Sequence, residues 1–142
     1  MRSRINHSAV FVSAVAFFVL GWLWYDALFG RLWMSLTGHT GTASAASMMP
    51  QFIASFVLGW ILAYVIAIAL DETADPNPAR HGIAFGVFMG LGVFGTMLGV
   101  MYIYEGRPFA LWGINAGYVV VGMAIMGAII GAWRKSAVAA AA

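Results

Sequence analysis

Gly82 to Tyr104 reads GIAFGVFMGLGVFGTMLGVMYIY, 23 residues without one charged side chain. Coiled as a helix at 1.5 Å per residue, it is about 34 Å long and crosses a hydrocarbon core of roughly 30 Å with some tilt. Glycines recur between bulky apolar residues, the pattern that lets membrane helices approach backbone to backbone. Working outward, three more uncharged stretches appear: Ile5 to Tyr25, Ala43 to Leu70 with its helix starting near Pro50, and Pro108 to Trp133. The spans therefore lie at about 5–25, 50–70, 82–104 and 109–133, since each holds about 20 apolar residues or more.

Composition excludes a water-soluble alternative. Hydrophobic residues make up 63% of the 142, charged residues 8%, and mean hydropathy is +0.90, whereas soluble domains carry roughly a quarter charged residues. The expected fold is an all-α integral membrane protein, a four-transmembrane-helix bundle with short loops forming one domain over residues 1–135. Residues 136–142 are a low-complexity alanine tail to which no role is assigned. Cysteine is absent, which removes disulfides and thiolate chemistry. A net charge of +2 gives no reason to expect nucleic acid as a partner.

The charges punctuate the spans and orient them. Arg2, Arg4, Arg80, Arg134 and Lys135 fall at the N-terminus, middle loop and C-terminus, against Arg31 and Arg107 in the first and third loops. Basic residues accumulate on the cytoplasmic side, so both termini are expected there. Thr42 to Ala45 looks like a signal-peptide cleavage site, but it lies about 20 residues beyond the first apolar run. That run is therefore read as a span. The short middle loop with Pro76 and Pro78 makes the second and third spans neighbours. The loop from Thr37 to Ser47 is read as mobile or surface-lying. The pentapeptide Phe18 to Trp22 recurs at Phe56 to Trp60, which in so restricted an alphabet is chance identity.

Small residues predict where helices meet. In the fourth span, Gly113, Gly117, Ala124, Gly127, Ala128 and Gly131 share a stripe about 100° wide. The third span carries two seams, Gly82, Gly86 and Gly90 in one and Gly92, Gly95 and Gly99 in the other, so it is expected to touch partners on two sides. Intramolecular packing is the plain reading, with homo-oligomerisation as the alternative.

Rings with a polar edge settle at headgroup level, so Trp22, Trp24, Tyr25, Trp33, Tyr102, Tyr104 and Trp112 are read as an aromatic belt. Among them stand Asp26, Arg31, Glu105 and Arg107, two acids and two bases expected to pair across the outer loops. Asn115 lies about 9 Å into the fourth span, opposite the glycine stripe and 60° around the axis from Tyr118. A buried amide without a partner is costly, so Asn115 should hydrogen-bond another helix or line a polar pocket. Asp26, Arg31, Glu105, Arg107, Asn115 and Tyr118 form the candidate outer-face site, beneath converging ends of the first, third and fourth spans.

No metal-binding, nucleotide-binding or hydrolase motif is present, so no catalytic residue, metal or cofactor is expected, and an enzyme is not. His7 and His81 are read as interfacial residues rather than haem ligands.

Gly21-Trp22-Leu23-Trp24-Tyr25, Leu28-Phe29-Gly30-Arg31-Leu32-Trp33, Glu105-Gly106-Arg107-Pro108 and Ile114-Asn115-Ala116-Gly117-Tyr118 together resemble a family of small bacterial four-helix membrane proteins catalogued only as a domain of unknown function. Ala27 and Val119 stand where that pattern often has a proline and a histidine. The resemblance implies a multi-pass protein of the bacterial inner membrane and supplies no activity. Two functions follow as expectations. One is a helix-packing interaction module in the lipid bilayer, a homo-oligomer or an accessory subunit of a membrane complex. The other is a small transporter or channel with its polar site at the outer face.

Overall fold

The computed structural model describes residues 5–71 and 75–134. Arg2, Arg4, Glu72, Lys135 and the alanine tail lie outside them. The described residues are helices joined by short connections, and four helices are long and apolar enough to cross a membrane: His7–Leu28, Met49–Asp71, Pro78–Glu105 and Phe109–Ala132. A further short helix, Gly30–Thr37, follows the first span. The expected loop thus begins with ordered structure, and its irregular part starts at Gly38, whose positive φ of 74° closes that helix.

Local chemistry sets the ends. The Asn6 side chain accepts from the Ser8 and Ala9 backbone amides and starts the first span. Asn77 does the same for Arg80, with Pro78 in the first turn of the third span. Gly106, at φ 67°, ends the third span before Pro108 opens the fourth. The N- and C-terminal ends meet: Asn6 Nδ2 donates to the Trp133 carbonyl at 2.9 Å, and Arg134 donates to the Asp71 carbonyl at 3.0 Å. This is the terminal end of the bundle. The first and third connections lie at the opposite, loop end.

The fourth span is the hub, packed on the third, the first and the second. The core sits in the half nearer the terminal end, where Val10, Ala14, Ala63, Ile66, Leu70, Met123, Met126 and Ile130 are buried together. The second and third spans are not the neighbours that their short connection suggested. The glycine face of the third draws it onto the fourth, and the two spans flank a gap about 540 Å³ in volume, floored by Gly59 and Met123.

The third span also corrects the reading of two seams. Residues Gly90–Gly95 form a wide π turn inside it. In an unbroken α-helix the step from Gly90 to Gly95 would rotate about 140° past a full turn, onto another side. The wide turn absorbs one extra residue, so that step behaves as a four-residue step of about 40°. Gly82, Gly86, Gly90, Gly95 and Gly99 therefore run down one face, all toward the fourth span. A side chain at Gly82 would overlap the Gly127 backbone and one at Gly127 the Gly82 backbone; Gly86 lies equally close to Met123, and Gly131 to Pro78. At the loop end the seam meets side chains instead, Gly95 facing Ala116 and Gly99 facing the Trp112 indole. Gly92 is the residue left over, and it faces open space.

Candidate functional site at the loop end

A second wide π turn, Leu23–Leu28, interrupts the first span at the loop end and closes with the Phe29 amide donating to the Trp24 carbonyl at 2.9 Å. The chain then bends so tightly that a Cβ at Gly30 would stand 2.9 Å from the Tyr25 carbonyl oxygen. Through this turn two consecutive aromatic residues both reach the fourth span. Trp24 Nε1 donates to the Ile114 carbonyl at 3.0 Å, and the Tyr25 hydroxyl donates to Asn115 Oδ1 at 2.8 Å.

Asn115 completes a clamp. Its Nδ2 donates to the Tyr102 hydroxyl of the third span at 2.6 Å, so one amide ties three spans together. Trp112 Nε1 donates to the Gly95 carbonyl at 2.8 Å, which joins the third and fourth spans again. The Tyr118 hydroxyl donates to the Phe17 carbonyl at 3.2 Å, and its ring packs on Phe17 and Tyr25 at centroid distances of 4.8 and 5.2 Å. Among the described residues no buried side-chain nitrogen or oxygen lacks a hydrogen-bond partner. These bonds form because an indole N–H or a phenol inside a bundle finds water scarce and must use protein acceptors.

The charged residues behave differently from their expected cross-loop pairing. Arg107 Nε meets Glu105 Oε2 at 2.6 Å, a pair within one connection, while Asp26 and Arg31 form no ion pair among the described residues. The Arg107 guanidinium also lies over the Tyr102 ring, 5.6 Å from its centroid. Its pKa is raised from the ordinary arginine value, first by the hydrogen bond to Glu105 and then by that carboxylate's charge. Two residues apart across the Gly106 turn, these side chains reach each other more readily than partners on the first loop. The pair caps the clamp from above.

Of the seven belt aromatics, Trp22 and Tyr104 face outward at 65% and 89% exposure, whereas Trp24, Tyr25, Trp33, Tyr102 and Trp112 are half-buried against the bundle. Trp33 packs on Tyr25 and on His39 at 5.8 and 4.7 Å. Gly113 faces open space rather than a helix, while Gly117 faces the Trp24 ring. Gly122, outside the stripe, is also a packing residue, buried against Phe17 on the other side of the fourth span. No sequence signal marked it, because the glycines of the stripe pointed elsewhere. His7 is hydrogen-bonded to the Tyr64 hydroxyl at 2.9 Å, and His81 lies 3.4 Å from Asp75.

Residues 8–131 match the family model described as Protein of unknown function (DUF1761). The chain belongs to the DUF1761 family. The DUF1761 match runs from the start of the first span almost to the end of the fourth, so it takes in the aromatic clamp, both wide turns and the glycine seam. No curated protein and no solved structure matches the chain.

Proposed function

We propose that this chain is an interaction module of the membrane interior that assembles with a second copy of itself through the gap between its second and third spans. The observation that carries the reading is that gap, about 540 Å³, walled by Leu58, Leu62, Phe85 and Phe94. The second span supports it. From Met49 to Ile61 only Gly59 is buried, and Ile53, Leu58 and Ile61 are more than half exposed. Ser55 is the one polar side chain among the residues that line it, so the gap suits mainly apolar side chains of another helix, which pack there by shape and dispersion.

The transporter reading has less in its favour. The glycine seam brings the third and fourth spans together without room between them, and the polar side chains of the clamp bond to one another. No enzymatic role is proposed. The orientation proposed has the terminal end in the cytoplasm of a bacterial cell and the loop end outside the inner membrane, on the distribution of basic residues. Reporter fusions at Ala142 and beside Gly41 test that, and an extracytoplasmic signal from the C-terminal fusion would overturn it.

Assembly is tested by pairing two single-cysteine variants, Leu58→Cys and Phe94→Cys, in a chain that has no cysteine of its own. Crosslinking between the two in native membranes, with a particle mass in lipid nanodiscs at least twice 15.2 kDa, is the expected result. A monomer without crosslinks would overturn the proposal, and a crosslink from Leu58→Cys to a different membrane protein would replace it with the accessory-subunit reading.

A further inference from the structure

A second groove adjoins that gap toward the loop end, between the second span and the first. Its volume is about 550 Å³, within the range of small-molecule sites. Phe17, Phe18, Trp22 and Phe52 make most of its wall, Gly21 leaves space where a side chain would stand, and three hydroxyl-bearing residues also line it: Tyr25, Tyr118 and Ser55.

The bonding state of those hydroxyls restricts what fits. The Tyr118 proton is committed to the Phe17 carbonyl and the Tyr25 proton to Asn115 Oδ1. Each phenolic oxygen therefore offers the groove lone pairs and no proton. Ser55 makes no hydrogen bond among the described residues and has a proton to give. A ligand that both donates and accepts, as an alcohol does, satisfies both kinds of group. A quinone carbonyl only accepts and would leave the phenols unanswered. Depth narrows the class further. Tyr118 stands nine positions beyond Phe109, about 14 Å along the helix, where a charged phosphate head would lose its hydration.

We infer that this groove binds an apolar molecule ending in a compact neutral hydroxyl, a diacylglycerol or an isoprenoid alcohol, with the hydroxyl donating to a phenolic oxygen and accepting from Ser55. The groove shares Phe17 and Ser55 with the gap between the second and third spans, and the labelling below reads it separately from the crosslinking at Leu58 and Phe94.

The test uses the full chain in phosphatidylcholine nanodiscs with a photoreactive diazirine analogue of hexadecanol, its methyl ether as control, and labelled residues located by mass spectrometry. The alcohol should label groove residues saturably and about five-fold more than the ether, the factor supplied by about one net hydrogen bond. Ser55→Ala should reduce that labelling several-fold while the melting temperature stays unchanged, because Ser55 is exposed and bonded to nothing. Equal labelling by alcohol and ether, or labelling indifferent to Ser55→Ala, would reduce the groove to ordinary lipid contact and overturn the inference. Competition by unlabelled dioleoylglycerol or by geranylgeraniol identifies the source of the hydroxyl. Competition by neither, or equally well by a ubiquinone, would also overturn it.

Discussion

The two halves of this bundle are held together by different means. Toward the terminal end, the third and fourth spans touch backbone to backbone at Gly82, Gly86, Gly127 and Gly131, and Val10, Ile66 and Met126 close the core at no more than 1% exposure. Toward the loop end, the first, third and fourth spans are joined by a few directed hydrogen bonds around Asn115, and the second span takes no part in that network, meeting the first through the Phe18, Phe52 and Phe56 rings. Glycine contacts work only at one separation, because dispersion falls off steeply with distance. Hydrogen-bonded rings tolerate small displacements and leave grooves between them. One half is a close-packed base and the other a hydrogen-bonded frame with grooves beside it.

The largest test of that contrast is Gly127→Leu. A leucine there collides with the Gly82 backbone, and the separation of the two spans should cost about 3 kcal/mol or more. Thermal unfolding and monodispersity in detergent would report it. Gly113→Leu, at a position facing open space, should melt like the parent, and if both variants do so the glycine base is not what holds the bundle.

Single-residue deletions sharpen the role of the wide turn. Removing Gly92 converts the turn to α while keeping Gly82, Gly86 and Gly90 in register with Gly95 and Gly99, so the variant should fold with a modestly lowered melting temperature. Removing Val87 rotates everything beyond it by about 100° relative to the start of the span and should prevent folding. Equal damage from the two deletions would contradict the register argument.

In the loop-end half, Asn115→Leu strips the acceptor from Tyr25 and the donor from Tyr102 together. The expected loss is about 1–2 kcal/mol, smaller than at Gly127. Equilibrium unfolding in mixed micelles measures it, and a loss as large as that of Gly127→Leu would erase the distinction between base and clamp.

The smallest effect belongs to Glu105→Gln at the rim. The pair with Arg107 is exposed, and exposed pairs contribute little. A base whose pKa is raised in the native state contributes below its unfolded pKa and loses that contribution only as pH rises past the native one, for arginine far above neutrality. The substitution should therefore leave the melting temperature unchanged both at about pH 6 and at about pH 9. A measurable drop in either would promote the rim pair to part of the clamp.

The sequence by itself determined the number of spans, their bounds to within a few residues and the class of fold, because the absence of charge over 20 or more residues has one physical solution in lipid. It also carried the family, through motifs that flank the clamp. Asn115 stood out as an amide about 9 Å inside an apolar span, which required a partner without saying which. Tertiary structure alone decided that the partners are Tyr25 and Tyr102, since nothing in the spacing ties residues 90 and 13 positions away to one side chain. It decided as well that the third span presents one glycine face and not two. Register along a helix is read by assuming 3.6 residues per turn, and a single wide turn, held in place by the packing it makes possible, shifts every residue beyond it onto a different side.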